Sequence, residues 1–371
     1  MHYFDHNATS PLCEVARRAW LEAVDRFPAN PASAHRWGAR SERALEEARE
    51  RLAARLTVDP HQLLWTSGAT ESNNLLIHHV ARSGEGPVWL SAIEHPCVLE
   101  AARYWLPHRH HLIPVTRDGD LDLNWVADRL KTERPDLVAV MAANNETGIL
   151  PSWLTVAQLC RDHGVAFFTD AAQAIGKLDM KDLAIADYFS GCAHKFGGPV
   201  GVGFLRATGP LLPLLRGGPQ EGGRRAGTQN LAGATACVAA LEHRLSNLEA
   251  LSPDQRALIR DRFEDQVKSA IRGVEVLGGG RRRLWNTSSL LMPPVDCRRR
   301  WVVRLDKLGF AVSTGSACAS GRETVSHVLR AMGHDGVGER MLRISSGWET
   351  SESAWEELAR ALIATAAEFG V

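Results

Sequence analysis

Between residues 63 and 205, short apolar runs alternate with stretches whose apolar residues recur every three or four positions. The runs fall at 63–65, 88–90, 112–115, 137–141, 165–168, 186–189 and 202–205. Helical spacing fills 71–81, 98–105, 125–131 and 154–163 between the earlier ones. A run with no polar face suits a strand covered on both sides, and strands that alternate with helices predict a mainly parallel sheet. The last two runs are too close for a helical crossover, so that pair is expected to be antiparallel. The prediction is an α/β chain with a seven-stranded sheet.

The flanking pattern differs. Phe4-Asp-His-Asn-Ala-Thr-Ser-Pro11 is too polar for a core strand. Val15, Ala19, Ala23 and Phe27 space a helix that Asn30-Pro31 breaks, and Ala44, Leu45, Ala48, Leu52 and Leu56 mark one face of a long charged helix. A helix over 231–248 leads to Ser252-Pro253, where a domain boundary is placed. Beyond it, helices are predicted at 254–271, 298–308, 324–332 and 352–368, with short strands near 284–291, 310–313 and 342–345. This divides the chain into a large domain, 14–252, and a smaller α+β domain made of 1–13 and 253–371.

Composition narrows the class. The chain has 371 residues, with 43 Lys plus Arg against 43 Asp plus Glu, so neither a polyanion nor an acidic membrane surface is implied as a partner. No basic stretch followed by an apolar run opens the chain, and no run of about 18 apolar residues occurs. Seven scattered cysteines without a C-x-x-C pair read as reduced thiols, not as a disulfide frame or a metal site. A soluble cytoplasmic protein is expected. The arginine runs at 278–283 and 297–300 read as solvated turns, and no direct nucleic-acid binding is expected.

Candidate chemistry sits where strands end. Thr66-Ser-Gly-Ala-Thr-Glu71, which contains Ala69 and Thr70, joins a strand to a helix. It has the small residues and free amides of an anion seat, although Ser and Thr also cap helices that bind nothing. Glu94-His95, Asn144-Asn145, Asp170-Ala-Ala-Gln173 and His194-Lys195 follow other strands at the same sheet edge, where open α/β sheets place ligands. Asp170 ends an apolar run and needs a positive partner, either a Lys or Arg or a protonated pyridine nitrogen. Lys195, hemmed by Gly197, Gly198 and Gly201, is either a surface amine beside a hairpin or a positioned base and Schiff-base former. A glycine-rich loop, 217–228, carries Arg224, Arg225 and Thr228. Cys318 lies in a small-residue polar loop that suits a nucleophile, and Arg343 on a strand suits a carboxylate.

These pieces, in this order, resemble the cysteine desulfurases of the class-V aminotransferase family, fold type I of the pyridoxal-phosphate (PLP) enzymes. The likeness is closest to the nitrogen-fixation type with a long catalytic-cysteine loop. It rests on Ser67-Gly-Ala-Thr-Glu-Ser72, Asn144-Asn-Glu-Thr-Gly148, Arg224-Arg-Ala-Gly-Thr-Gln-Asn230 and Gly315-Ser-Ala-Cys318. The resemblance implies that Lys195 holds PLP covalently and moves protons, and that Asp170 pairs with the ring nitrogen. It also implies that Gln173 bonds the ring oxygen and that His95 stacks on the ring. Ala69, Thr70, Cys192, His194 and, across a homodimer interface, Thr228 would hold the phosphate end. Asn145 and Arg343 would orient the carboxylate of L-cysteine. Cys318 would take the sulfur as a persulfide, leaving alanine and passing sulfur to an acceptor protein, as in iron–sulfur cluster assembly. The alternatives are a selenocysteine lyase or another PLP-dependent C–S lyase and, in another class, a non-catalytic sulfur-assembly scaffold.

One position departs from the family. Ser-Gly-His-Lys is replaced by Cys192-Ala193-His194-Lys195, which puts a thiol where a hydroxyl would reach the phosphate. A lost hydrogen bond to a charged group, roughly 1.5–3 kcal/mol, implies a cofactor held about tenfold to a hundredfold more loosely.

Overall fold

The seven apolar runs form one sheet. The computed structural model describes residues 1–295, 297–315 and 326–371, the side chains of 297–299 excepted. Strand β1 (His2–Tyr3) precedes helices α1 (Glu14–Arg26) and α2 (Arg36–Leu56). Next come β2 (Leu63–Thr66), α3 (Ala69–Ser83), β3 (Val88–Ser91), α4 (Pro96–Trp105), β4 (His110–Ile113), α5 (Leu123–Leu130) and β5 (Leu137–Ala139). They are followed by α6 (Trp153–Asp162), β6 (Phe167–Asp170), β7 (Tyr188–Cys192) and β8 (Gly203–Ala207). The strand order is β2-β8-β7-β6-β5-β3-β4, with β8 antiparallel to both neighbours and the other pairings parallel. The run predicted at 112–115 is displaced to β4. As an edge strand paired only with β3, it exposes His111 and Leu112, so hydrophobicity marks its limits poorly.

Strand alternation separates two cores. Trp65, Trp89, Val138, Phe167, Phe189 and Phe204 point to one face, where residues of α1, α2, α6 and α7 (Leu231–Ala250) meet them. Leu64, Leu90, Leu137, Phe168 and Leu205 point to the other, against α3 and α4. Each large apolar side chain buried this way contributes about 1.5–3 kcal/mol. Both faces are covered, which is why the strands read as continuous apolar runs.

The chain continues with α8 (Pro253–Ala270), β9 (Glu275–Val276), β10 (Thr287–Leu291), α9 (Val303–Lys307), β11 (Phe310–Ala311), α10 (His327–Ala331), β12 (Met341–Ser345) and α11 (Glu352–Phe369). A capping box starts α8: Ser252 and Gln255 satisfy each other's backbone amides, and Pro253 takes the position that needs no amide hydrogen. Strands β12-β10-β9 form an antiparallel sheet, and β1 pairs in parallel with β11. Phe4, Phe263, Trp301, Ile344 and Trp355 share one core there.

The polar opening segment 4–11 forms no strand, as expected, yet Phe4, His6, Asn7 and Ser10 within it are buried, and Asn7 is 1% exposed. Its polar groups are satisfied by neighbours instead of water, which hydropathy cannot register. The 278–283 turn is not simply solvated either. Arg283 is buried against Glu264, with both guanidinium–carboxylate contacts at 2.7 Å, and Arg281 pairs with Asp118 at 2.5 Å.

Candidate active site

Strands β2, β3, β5, β6 and β7 run in one direction, so their carboxyl ends open on a single edge of the sheet. The residues predicted there come together through short contacts. Lys195 sits on a single helical turn, Ala193–Lys195, between β7 and β8. Its Nζ donates to the carbonyls of Asn7 (2.6 Å) and Ala8 (2.9 Å). Burial holds its pKa below the usual lysine value, and the charge of Arg343 acts in the same direction against Cys192 and Asp170. This is a positioned amine, not a surface one.

Asp170, the last residue of β6, is 5% exposed. One carboxylate oxygen accepts from Asn73 Nδ2 at 2.8 Å and the other from the Ala172 amide at 2.9 Å. Both donors are neutral, so no cation among the described residues hydrogen-bonds to this carboxylate. Among the described residues, the ordinary Asp–Arg or Asp–Lys salt bridge left open by the sequence is absent.

The turn between β2 and α3 forms the anion seat. Gly68 starts α3 and has no side chain with which to cap the helix. A Cβ on Gly203 of β8 would stand 2.5 Å from the Gly68 Cα, so glycine there lets the sheet approach this turn. Cys192 pairs with Gly203, and its thiol faces the Ala69 amide. Burial pushes that thiol up to about 11, so it is protonated at neutral pH. Thr70 is exposed at the mouth. His194 faces Thr9 Oγ1 at 3.2 Å, and its pKa is lowered to about 4 by burial, then by the charges of Lys195 and Lys177.

His95 caps α4: its Nδ1 accepts from the Cys97 amide at 3.2 Å. Its pKa is lowered by burial. Glu94 beside it is fully buried. Its Oε1 accepts from the Met141 amide at 2.6 Å and its Oε2 has no partner. Burial, then the charge of Asp170, raises its pKa well above the carboxylate range, so the side chain is a neutral acid. Arg343 donates to the carbonyls of Asn145 (3.1 Å) and Gly315 (3.0 Å) and to Asp5 Oδ1 (2.6 Å), leaving its buried Nε unpaired.

Not every predicted residue joins this cluster. Thr228 is exposed on its loop, and among the described residues no hydrogen bond ties it to the other site residues. Arg225 is engaged by Glu71 at 2.8 Å and Arg224 by backbone carbonyls, so both arginines hold the loop in place. Cys318 lies outside the described residues.

Sequence reasoning missed several contributors. Asn7 is the hub: its carbonyl accepts from Lys195 and from Gln173 Nε2 (2.9 Å), and its Nδ2 donates to the Asn145 carbonyl (3.2 Å). Lys177 is fully buried and donates to Gln173 Oε1 at 2.6 Å and Asn7 Oδ1 at 3.3 Å. Burial, then the charges of Lys195 and Arg343, holds its pKa well below the usual value. Asn73, Cys97 and Asp5 complete the list. Asn73 interrupts the apolar face of α3 three and four residues before Leu76 and Ile77, and Lys177 interrupts Ala174-Ile-Gly-Lys-Leu178. A polar residue in an apolar register was the available signal.

The class-V aminotransferase model matches residues 2–357. The chain belongs to the class-V aminotransferase family. Cysteine desulfurase NifS of Azotobacter vinelandii is 37% identical to this family member over 339 residues, covering 89% of this chain and 83% of that protein. Cysteine desulfurase IscS of Dictyoglomus turgidum is 35% identical over 341 residues, 89% of this chain and 85% of that protein. A solved NifS-like protein superposes with a TM-score of 0.88 at 30% identity, over 100% of this chain and 99% of that one.

Among the residues present, the donor set fits PLP. An uncapped helix start beside Thr70 and His194 suits a phosphate, and a buried carboxylate without a cation suits a pyridinium nitrogen. The polar atoms of Asn73 Oδ1, Glu94 Oε2 and Arg343 Nε are buried without partners in the same region.

Proposed function

We propose that this protein is a PLP-dependent cysteine desulfurase that releases alanine from L-cysteine and carries the sulfur on Cys318. The observation that supports it most is the placement, at the ends of adjacent strands, of a half-buried amine (Lys195) and a buried carboxylate (Asp170) to which no cation among the described residues hydrogen-bonds. When bound, PLP withdraws electrons from the substrate α-carbon. The chain's own residues do the rest. Asp170 holds the ring nitrogen protonated, and Gln173 presents Nε2 to the ring oxygen, an orientation kept by Lys177 on Oε1. His95 would stack on the ring. Ala69, Thr70, Cys192 and His194, with Thr228 from a second copy in a homodimer, hold the phosphate.

Lys195, with its pKa lowered, both binds the cofactor and moves the α-proton. Arg343 and Asn145 hold the substrate carboxylate, which takes over the part of the guanidinium that Asp5 occupies here. Cys318, as its thiolate, would attack the substrate sulfur; the Cβ–S bond breaks, its electron pair stays with the carbon fragment that takes up a proton to leave as alanine, and the persulfide on Cys318 passes its outer sulfur to an acceptor protein.

Sulfide and alanine release from L-cysteine in the wild type and in Cys318→Ser and Lys195→Ala tests this reading. Lys195→Ala should lose the visible absorbance of covalently bound cofactor. Cys318→Ser should keep that absorbance and lose sulfur transfer. Full sulfur transfer by Cys318→Ser would overturn the mechanism.

A further inference from the structure

Cys97 is a thiol that the proposed reaction does not use, yet it lies between two of its residues. Its Sγ is 3.0 Å from His95 Nδ1 and 3.1 Å from Asn73 Nδ2, and the Thr70 hydroxyl also faces it. Asn73 Nδ2 contacts Asp170 Oδ2 at 2.8 Å. Directions can be assigned along this chain of contacts. The Cys97 backbone amide points at His95 Nδ1, and an amide can only donate, so Nδ1 is an acceptor and the ring proton is on Nε2. The thiol then donates to Nδ1 and accepts from Asn73, whose second amide hydrogen serves Asp170.

We propose that Cys97 is a positioning residue: its thiol is a second donor to the His95 Nδ1 that its backbone amide already makes an acceptor, holds the plane of that ring, and joins it, through Asn73, to the Asp170 carboxylate. Burial, reinforced by the charge of Asp170, pushes the Cys97 thiol far up, so it stays protonated as the donor role requires. His95 also meets Asp170 from β6, which favours its protonation. Lys195 and His327 of α10 oppose it. A donor on Nδ1 adds to that opposition and keeps the imidazole neutral, with its Nε2 hydrogen free to face the ring or substrate.

The link to catalysis rests on the desulfurase reading, whereas the hydrogen-bond role does not. The test therefore uses two measurements on PLP-loaded protein. In 15N-histidine-labelled protein, with the His95 signal assigned through His95→Gln, Cys97→Ala should raise the midpoint of His95 protonation by roughly half to one pH unit, the worth of one neutral hydrogen bond. Cys97→Ser, which restores a donor, should return it towards the wild-type value. The acid limb of kcat/KM for L-cysteine should move in the same direction and by the same amount. An unchanged midpoint in Cys97→Ala, or a serine variant that titrates like the alanine variant, would overturn the proposal. A shifted midpoint in a protein that releases no alanine from cysteine would keep the positioning role and refute the desulfurase reading.

Discussion

Cys192→Ser restores, in the phosphate seat, the hydroxyl that most relatives of this type are expected to carry. The side chain is 2% exposed at the end of β7, facing the Ala69 amide where α3 begins uncapped. With its pKa at about 11, the thiol is neutral at pH 7.5, so it does not repel a phosphate dianion. It is only a weak donor. A hydroxyl in the same place makes a hydrogen bond to a charged acceptor worth roughly 1.5–3 kcal/mol, less what the thiol already supplies. With about 1.4 kcal/mol per factor of ten, the serine variant should bind PLP about ten times more tightly and at most about a hundred times. Equilibrium dialysis of PLP against cofactor-free wild type, Cys192→Ser and Cys192→Ala, read by absorbance at pH 7.5, measures this directly. The alanine variant should match the wild type to within a few-fold. A serine variant whose Kd is unchanged or weaker would show that the side chain at 192 does not reach the phosphate, and would refute the account of this substitution.

Two further outcomes follow from buried charge. Arg49 and Glu221 form a two-point pair (2.8 and 3.0 Å) that also receives the Trp65 amide and Gln229, and it anchors the loop bearing Thr228. Glu221→Ala removes the buried partner of Arg49 and leaves it only the half-exposed Glu46 and the Leu63 carbonyl, so it should lower the unfolding free energy in urea by at most about 3–5 kcal/mol; a loss under about 1 kcal/mol would contradict this. His6 is buried with its pKa lowered to about 4, first by burial and then by the charge of Lys177. The unfolded chain takes up that proton near pH 6.5 and the folded chain does not, so stability should fall as pH drops from about 6.5 to about 4. His6→Gln should flatten the unfolding midpoint over this window, and an equally steep profile would count against it.

The amino-acid pattern alone determined the sheet, because strands covered on both faces must be apolar throughout and leave a mark that hydropathy detects. It also placed Lys195, Asp170 and the 66–71 seat, since small and polar residues at strand ends stand out against those runs. What it could not determine was who their partners are. Asn7 comes from a segment too polar for a core strand, yet it receives Lys195 from 188 positions away. Arg225 stands out in its glycine-rich loop, but its partner, Glu71, lies 154 positions away. Asn73, Cys97 and Lys177 matter only because folding brings α3, α4 and the turn after β6 to one edge. A hydrogen bond depends on distances of a few ångströms between residues far apart in sequence, and no local pattern records them. For the opposite reason, burial hides Glu94: a carboxyl group is read from sequence as a charge, and only the tertiary structure makes it a neutral acid.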